Sequence, residues 1–458
     1  MTDMKIGLET HVTLNTKTKL FCGCPTTPAE PNVHTCETCL GLPGAKPMAN
    51  EKAVTLAIQA ATALGMDVNT QSRFARKTYY YPDLSKNYQI TQYDEPLAEK
   101  GMFIVDGKAV ALTRLHLEED PAQIVYPHGN MANSTYSLLD YNRSGMPLIE
   151  IVTDPCMKSP AEAKAYLEAL FKQLSYLDVI DAKAERVMKT DANISIPGGE
   201  RVEIKNITSF AAVEKALQAE YFRQRKAQQK GEVAQRQTRL YSEETHTTLL
   251  MRTKEQEEDY GYIVETDLPP LYLDEGFLKK IRNEMKELPE KAIARLKKQM
   301  PHPYAEVLVY QNLAPYFESA KTPDKALLAK WVCGDLLKCM NYHGMSDPKD
   351  ALPVFELDAL LFAVSTQKIT ARAAKEYIKE MVTQKKPFKH VLAGQEHRGM
   401  DELIREILKS NPQAVSEYQA GKEKSLEFLL GEFLKRHRGF HPNDVRKKLK
   451  NAIQNLKK

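Results

Sequence analysis

Apolar and polar residues alternate along residues 5–14, KIGLETHVTL, near the start of the chain. This period of two predicts a β-strand with one buried and one polar face. The buried face is predicted to carry Ile6, Leu8, Thr10, Val12 and Leu14, and the polar face Gly7, Glu9, His11 and Thr13. Residues two apart on a strand are about 6–7 Å apart, so Glu9 and His11 can reach one ion or ligand, although many surface strands carry such a pair.

Two further predicted strands carry acidic residues. Residues 112–120, LTRLHLEED, end in three adjacent acids, which repel one another unless they reach solvent or gather around a cation. Residues 146–154, MPLIEIVTD, are otherwise apolar around Glu150. A buried carboxylate without a partner is costly, so Glu150 is expected to bind a metal ion or a hydrogen-bond donor. A salt bridge to Arg114 or Arg143 is the alternative.

A β-hairpin is predicted over residues 189–206, where two alternating segments flank the turn PGGE. Its polar positions include Asp191, Asn193, Ser195, Glu203 and Lys205. Residues 72–94 interleave basic and aromatic side chains, a mixture that suits contacts to phosphates and bases. The sequence has neither a P-loop nor a dinucleotide-binding glycine motif. Any nucleotide site is therefore expected on a sheet, bridged by Mg²⁺ on carboxylates.

Helical periodicity marks the remaining segments. Helices are predicted from Asn50, an N-cap residue, to Gly65, from Ser159 onward, and throughout the region after about residue 290. Together with the strands they predict an α+β fold, with a sheet-based N-terminal domain, an all-helical domain and a small helical C-terminal tail domain. The expected domain bounds are 1–290, 291–398 and 399–458, with a linker to the tail at 385–399.

Four of the seven cysteines form two close pairs, Cys22 with Cys24 and Cys36 with Cys39. Disulfides are not expected to persist in a reducing cytosol, and two thiol pairs on turns suit a tetrahedral zinc ion. Four cysteine ligands leave no open coordination position, so this Zn²⁺ would be structural. Four reduced thiols without a metal are the alternative, a redox switch is a less favoured one, and His34 is a spare ligand or a surface residue.

Composition adds two constraints. The 458 residues are 42% hydrophobic and 27% charged, as in ordinary soluble proteins. The N-terminus lacks the pattern of a secretory signal and no segment reaches about 18 apolar residues, so a cytoplasmic protein without membrane contact is expected. The net charge is only +4, yet residues 435–458 hold nine Lys or Arg against one acid. Such a tail is typical of a solvated face or of nucleic-acid binding.

Several long motifs follow one another along about residues 5–275: IGLETHVTLNTKTKLFC, RKTYYYPDLSKNYQITQYDEPL, LHLEED, DYNRSGMPLIEIVT and DANISI…EIKNITSF. In these motifs the chain resembles the B subunit of the tRNA-dependent amidotransferase (Gat type), and the likeness continues more loosely to the C-terminus. Its length argues against the related archaeal E subunit, which has an inserted domain. Some members of the family carry a Cys-x-Cys…Cys-x-x-Cys zinc knuckle at this place, and others have lost it.

The resemblance implies a cradle-like catalytic domain and a ligase reaction. With ATP and Mg²⁺, the family phosphorylates the side-chain carboxyl of Glu-tRNA(Gln), Asp-tRNA(Asn) or both, and ammonia then displaces the phosphate. The implied partners are a glutaminase A subunit and a small C subunit in a heterotrimer, misacylated tRNA(Gln) or tRNA(Asn), and, as a further expectation, the cognate aminoacyl-tRNA synthetase. In this family the basic tail reaches the tRNA body.

The resemblance also implies roles for individual residues. His11, Glu119 and Glu150 match the metal-binding positions of the family, with Glu9 and Glu118 as neighbours in the same cluster. Lys77 belongs to the expected catalytic set. The candidates for contacts to ATP and to the tRNA acceptor end are Tyr81, Lys86, Tyr88, Asp191, Asn193, Ser195, Glu203 and Lys205.

The chain departs from the family pattern at a few positions. The usual EEDAGK is here EEDPAQ, with Pro121 beside the acids, and Gly261, Ile263 and Thr266 stand where the family favours Arg, Phe and an acid. These changes bear on the contacts of that segment and not on the fold. Two other functions remain as alternatives: a non-catalytic tRNA- or ribosome-binding adaptor with the same fold, which needs no metal cluster, and a stand-alone ligase that uses free ammonia.

Overall fold

The structure, a computed structural model, describes residues 4–129, 133–184, 187–253, 261–391, 400–436, 440 and 442–456. These residues form two compact units, one up to Leu288 and one from Pro289 onward. The first unit contains a large sheet with helices and the second is helical, which confirms the α+β class. The finer division at 290 and 398 stays a prediction, and residues 392–399 of the predicted linker lie outside the described residues.

The first unit holds the strands of the described chain. They are β1 (Lys5–Thr13), β2 (Asp67–Val68), β3 (Gln71–Ser72), β4 (Ala75–Thr78), β5 (Tyr88–Thr91), β6 (Ala98–Val105), β7 (Lys108–Glu119), β8 (Gln123–Val125), β9 (Leu138–Asp140), β10 (Pro147–Thr153), β11 (Met188–Ser195), β12 (Val202–Ile207), β13 (Gln237–Ser242), β14 (Thr247–Thr253), β15 (Gly261–Val264) and β16 (Leu271–Tyr272). Its helices are α1 (Glu37–Leu40), α2 (Glu51–Ala63), α3 (Pro160–Tyr176), α4 (Phe210–Gln229) and α5 (Glu275–Glu284).

Nine strands form one sheet in the order β14-β13-β12-β11-β1-β10-β7-β6-β2. Its neighbours pair antiparallel except β12 and β13, which run parallel. β1 lies between β10 and β11, with His11 opposite Glu150 and Glu9 opposite Asp191. The central strand thus faces polar residues of both neighbours. Smaller sheets have the orders β15-β4-β5, β16-β3 and β8-β9.

The alternation predicted for β1 is present. Ile6, Leu8 and Val12 are buried in the hydrophobic core, whereas Glu9 and His11 are partly exposed on the other face. Helices α3 and α4 contribute buried residues to the same core, because their apolar positions recur at helical spacing. The sheet therefore has one face covered by helices and one polar face, on which ligands can bind.

Predicted caps fix two of these helices. The side chain of Asn50 accepts hydrogen bonds from the backbone N–H groups of Lys52 at 2.9 Å and Ala53 at 3.2 Å, at the start of α2. The hydroxyl of Ser159 accepts from the backbone N–H of Glu162 at 3.2 Å, at the start of α3. Each cap satisfies a backbone donor that the first helical turn leaves unpaired.

The second unit consists of helices in its described part. They are α6 (Pro289–Leu296), α7 (His302–Tyr310), α8 (Ala314–Ser319), α9 (Lys325–Trp331), a π-helix (Val332–Leu336), α10 (Leu337–Tyr342), α11 (Pro348–Ala351), α12 (Val354–Ser365), α13 (Ala371–Gln384), α14 (Met400–Ser410), α15 (Pro412–Gln419), α16 (Lys424–Arg436) and α17 (Pro442–Asn455). Helices α14 to α17 share a hydrophobic cluster that includes Ile407, Leu429, Phe433 and Leu449. Within the described residues, no helix has the length and apolar character needed to cross a bilayer.

Candidate active site and thiol cluster

His11, Glu118 and Glu150 meet on the polar face of the large sheet. They belong to β1, β7 and β10, which are adjacent in the strand order. The Nε2 atom of His11 lies 3.2 Å from Oε1 of Glu118 and 3.3 Å from Oε2 of Glu150. One ligand atom from each residue lies within 4.8 Å of the other two, so a single divalent cation can contact all three.

Glu119 lies on the opposite side of β7, because successive side chains of a strand point to opposite faces. Its buried carboxylate accepts hydrogen bonds from the ammonium group of Lys86 and, at 2.9 Å, from the backbone N–H of Ile90. The predicted grouping of Glu119 with His11 and Glu150 is therefore not found. Glu118, predicted as a neighbour in the cluster, occupies that position.

This donor set fits Mg²⁺ in part and leaves room for a substrate. Two carboxylates are the ligands that Mg²⁺ prefers, and an imidazole nitrogen is tolerated but less usual. Three protein ligands leave the remaining positions of an octahedral ion to water and to phosphate oxygens. The arrangement is suited to a cation that is shared with a bound nucleotide.

Burial and neighbouring charges shift the protonation of this cluster. Burial alone would lower the pKa of His11, but the carboxylates of Glu118 and Glu150, with a contribution from Asp191, raise the pKa to about 9. Burial raises the pKa of Glu9, and the negative charges of Glu150 and its neighbours raise it further. Burial also acts to raise the pKa of Glu150, but the histidines His116 and His11 outweigh it and lower that pKa below its ordinary value.

A divalent cation must replace the proton of His11 before it binds the imidazole. We therefore expect the affinity for Mn²⁺ to rise by about tenfold per pH unit below pH 9 and to level off above this pKa. In the metal-free protein, protonated His11 stabilises the fold through its contacts with the carboxylates. This contribution is complete below the ordinary histidine pKa of 6.5 and is lost as the pH rises through about 9. Mn²⁺ titrations on both sides of the pKa measure the effect. A His11→Gln variant that keeps the same pH slope would contradict it.

Glu118 and Glu150 of the cluster line a cleft of about 310 Å³, and His11 contacts both of them without itself lining it. Of the predicted residues, Glu9, Lys77, Glu118, Glu150, Glu203 and Lys205 line it. Basic side chains are frequent there, namely Lys77, Arg114, Arg201, Lys205 and Arg236. Tyr93 and Tyr262 also line the cleft, and their rings stack with centroids 3.9 Å apart. Cations beside a metal-type cluster and an aromatic surface suit a ligand that carries phosphates and a planar group.

Polar side chains of the hairpin hold two of the cleft acids in place. The amide of Asn193 donates to Oε1 of Glu9 at 3.0 Å. The ammonium group of Lys205 lies 3.0 Å from both Asp191 and Glu203. Burial would lower the pKa of Lys205, but these two carboxylates raise it, so Lys205 stays charged. The predicted residues Asp191 and Asn193 thus support the cleft from β11.

Other predicted residues lie apart from the cleft lining. The charged groups of Lys86 and Arg76 both lie over the ring of Tyr88. Nζ of Lys86 is 5.2 Å and Cζ of Arg76 is 4.6 Å from the centroid of that ring. Lys86 and Tyr88 border a separate cavity of about 60 Å³ beside the cysteines. Tyr81 is 48% exposed, and Ser195 pairs with Lys5 at the edge of the β1–β11 register. Neither Tyr81 nor Ser195 lines either cavity.

Several cleft residues were not predicted from the sequence. They are Tyr93, His116, Arg201, Arg236 and Tyr262. Arg114, predicted only as an alternative partner of Glu150, also lines the cleft, and its Nη2 atom lies 3.9 Å from Oε1 of Glu150. Alternation along β7 could have indicated Arg114 and His116, since they share the face of Glu118. Arg201 and Arg236 directly precede β12 and β13, whose parallel register pairs Val202 with Gln237. Only the strand pairing brings those two arginines together.

The four paired cysteines form a second cluster. Their Sγ atoms all lie within 4.8 Å of one another, and the cluster consists of Cys22, Cys24, Cys36 and Cys39. His34 does not take part, since its Nδ1 atom lies 3.0 Å from the carbonyl oxygen of Thr27. The spacing and the soft donor set fit a tetrahedral Zn²⁺.

A buried lysine supports an anionic state of this cluster. Lys19 is fully buried, and its ammonium group donates to the carbonyl oxygens of His34 at 2.8 Å and Tyr141 at 3.2 Å and to Sγ of Cys39 at 3.6 Å. No carboxylate among the described residues pairs with Lys19, so thiolates are its negative partners. A hydrogen bond from Cys22 lowers the pKa of Cys39 to about 4, and Lys19 also lowers it. A zinc-bound set of thiolates would complete this charge balance.

Comparisons with known proteins cover almost the whole chain. Residues 4–279 match the family model of the GatB/GatE catalytic domain, and residues 315–453 match that of the GatB domain. The chain is 41% identical to the B subunit of the aspartyl/glutamyl-tRNA(Asn/Gln) amidotransferase of Methanospirillum hungatei, over 95% of this chain and 94% of that protein. Proteins of the same name from Moorella thermoacetica and Thermotoga neapolitana are each 38% identical, over 98% and 95% of this chain and 99% and 95% of their own.

The catalytic-domain match and the cleft on the sheet define a component of a ligase-type enzyme. The match covers more than half of the chain, and the relatives align along nearly all of it. The chain belongs to the GatB family, the B subunits of tRNA amidotransferases. The resemblance stated from the sequence motifs is thereby confirmed.

Proposed function

We propose that this chain uses ATP to activate the side-chain carboxyl of Glu-tRNA(Gln), Asp-tRNA(Asn) or both, and that ammonia then converts the activated group to the amide. The observation that carries the proposal is that His11 meets Glu118 and Glu150, two acids that line a cleft with five basic side chains. Phosphoryl transfer depends mainly on positioning and charge neutralisation, which such a cleft supplies. The names of the relatives point to the same substrates.

Within this proposal His11, Glu118 and Glu150 would hold Mg²⁺, which would neutralise charge on the phosphoryl group during its transfer. The basic side chains of the cleft bind phosphates, and the stacked Tyr93 and Tyr262 offer a surface for a base. Arg201 and Arg236 form no ion pair with an acid in the described part of the chain, so both remain available to phosphate oxygens. The ion pair of Lys86 with Glu119 acts in support and does not line the cleft.

The proposed assembly is a cytoplasmic heterotrimer. A glutaminase A subunit supplies ammonia, a small C subunit completes the complex, and misacylated tRNA(Gln) or tRNA(Asn) is the substrate, with the cognate aminoacyl-tRNA synthetase as a further partner. Membership of the GatB family supports these partners. Structural Zn²⁺ at the four cysteines is the second metal of the proposal.

The test uses the complete heterotrimer with ATP and each misacylated tRNA in turn. Amide formation from added ammonia should require both ATP and one or both of the tRNAs, and ADP and phosphate should form in step with the amide. A matched control replaces the misacylated tRNA by the uncharged tRNA. If the complex bound both tRNAs tightly but consumed no ATP with either, the adaptor function would replace the proposed one.

The basic tail makes a separate prediction. Part of its charge is paired within the helical bundle, since Arg446 bonds Glu427 and Lys448 lies 2.8 Å from Asp401. Lys435 and Lys447 are exposed, and no acid in the described residues pairs with them. The affinity for tRNA falls as salt rises, and each lysine that binds a phosphate adds about 1 to the steepness of log affinity against log salt. Replacing both lysines by Gln should therefore make this dependence shallower by about 2.

The control for this tail prediction is Lys448→Gln, which removes a lysine that the bundle already pairs. Its effect on the salt slope should be smaller than that of the double change at Lys435 and Lys447. Equal slopes for the wild type and the double variant would mean that the basic run is only a solvated face.

A further inference from the structure

Gly41, the residue that follows α1 of the thiol cluster, lies directly against Lys86. A Cβ atom on Gly41 would lie 2.1 Å from Cγ and 2.8 Å from Cδ of Lys86, well inside contact distance. Gly41 has φ +70° and its N–H donates to carbonyl oxygens of Glu37 and Thr38, so its backbone is fixed by the end of α1. The stem of Lys86 can cross this point only because residue 41 has no side chain.

Lys86 in turn holds the end of β7. Its side chain is 9% exposed, and its ammonium group bonds the carboxylate of Glu119, which is also buried. Glu119 accepts a further hydrogen bond from the backbone N–H of Ile90 at 2.9 Å. Without Lys86 in this place, a buried carboxylate would lose its cation, which is a strongly unfavourable state.

The neighbouring residue on β7 belongs to the cation cluster of the cleft. Glu118 faces His11 on one side of the strand, while Glu119 faces Lys86 on the other. A shift of the backbone at Glu119 therefore moves Glu118 as well. The contact of Gly41 with Lys86 lies at the start of a continuous path, through Glu119, to the carboxylate of Glu118.

A second contact between the two segments lies beside the first, at ordinary van der Waals distance. Gly145 has no side chain at a point where a Cβ atom would lie 3.5 Å from Cβ of Cys39 and 3.9 Å from Oε2 of Glu119. The hydroxyl of Ser144 donates to the carbonyl oxygen of Cys39 at 3.0 Å, and the N–H of Gly145 donates to the carbonyl oxygen of Asp120 at 2.9 Å. The thiol cluster and the end of β7 are thus packed against each other at two glycines.

We propose that Gly41 is a positioning residue for the active site: its bare backbone seats the stem of Lys86, which pairs with Glu119 and fixes the end of β7 that presents Glu118. The inference depends on the proposed function only for its activity measurement. It assigns the segment that carries the thiol cluster a second role, since the end of its helix orients an ion pair behind the cleft.

The first experiment compares Gly41→Ala with Gly44→Ala in the complete heterotrimer. Gly44 also has a positive φ, +88°, but a Cβ atom there meets nothing within 4 Å, so its variant carries the backbone strain without the contact. Gly41→Ala should weaken Mn²⁺ binding by about tenfold, the range seen when groups behind metal ligands are changed. It should also lower kcat with little change in KM for tRNA and make the Lys86 amine reactive towards an acylating reagent. Gly44→Ala should have none of these three effects.

A double-mutant cycle gives the decisive result. Lys86→Ala removes the atoms that a side chain at residue 41 would meet, so Gly41→Ala should cause no further loss of Mn²⁺ affinity in that background. Lys86→Ala alone should weaken Mn²⁺ binding as Gly41→Ala does. If the glycine variant does not fold, the Mn²⁺ affinity of Lys86→Ala tests the role of the ion pair with Glu119. Additive losses, or equal Mn²⁺ affinities for Gly41→Ala and Gly44→Ala, would overturn the inference. If the wild type bound Mn²⁺ but formed no amide, the proposed function would be wrong. The Mn²⁺ affinities of the wild type and the variants would still test the inference.

Discussion

Glu150→Gln is expected to lower ATP-dependent amide formation by about a hundredfold to a thousandfold, the loss that follows removal of one charge-stabilising group. Glutamine keeps the size and shape of the side chain on an otherwise apolar strand, so the fold should persist. It removes one of the two carboxylates that flank His11, whose Nε2 lies 3.3 Å from Glu150. The affinity of the cluster for a divalent cation should fall in parallel.

The assay supplies ammonia directly, which bypasses the proposed glutaminase partner. Glutamine hydrolysis by that partner should then persist while amide formation is lost. Glu118→Gln should resemble Glu150→Gln, since both residues contact His11. The control is Glu168→Gln, an exposed glutamate of α3 away from the cleft. Near wild-type rates for both Glu150→Gln and His11→Ala would contradict the site assignment and favour the adaptor function.

The strands of the cleft could be predicted because their signal is local. The alternation in KIGLETHVTL gave the correct buried and polar faces of β1, and Glu150 was recognisable as an acid within an apolar run. The same rule applied to β7 places Leu115, Leu117 and Glu119 on one face and His116 and Glu118 on the other. The grouping of Glu119 with His11 followed the resemblance, and the period of the strand would have corrected it.

The remaining wall of the cleft could not be predicted, because it depends on contacts between distant segments. The parallel pairing of β12 with β13 brings Arg201 beside Arg236, and no short sequence pattern contains that register. Tyr262 reaches the cleft because β15 pairs with β4, where it lies opposite Lys77. This strand includes the departures Gly261 and Ile263, so the altered segment still forms part of the site.

The thiol cluster was predicted from spacing alone because its ligands are close in sequence. Its four cysteines lie within 18 residues of chain between Cys22 and Cys39, and turns suffice to bring them together. Lys19, which lies three residues before Cys22, gave no signal in the sequence. A buried lysine is identified only when its environment is known, here two carbonyl oxygens and a thiol.

Loss of zinc from the cysteine cluster is the second large effect that we expect. The purified protein should contain about one Zn²⁺ per chain, and Cys36→Ala should lose it and be strongly destabilised, because zinc bound by four thiolates contributes about 10 kcal/mol or more to folding. The cluster lies beside the end of β7, since Ser144 donates to Cys39 and the next residue, Gly145, donates to Asp120.

Elemental analysis and thermal unfolding, with and without a chelator, measure the effect of Cys36→Ala. Because the proposed site is closed, stability or solubility should fall before the chemistry is affected in any folded fraction. Cys339→Ala, in the helical second unit, is the matched control and should keep both the metal and the unfolding temperature. Lys19→Met should retain less zinc than the wild type, since the thiolates lose their buried cation. A folded wild-type protein with no metal and four freely titratable thiols would contradict the zinc assignment. Lys19 would then balance the charge of a single thiolate shared among Cys22, Cys36 and Cys39.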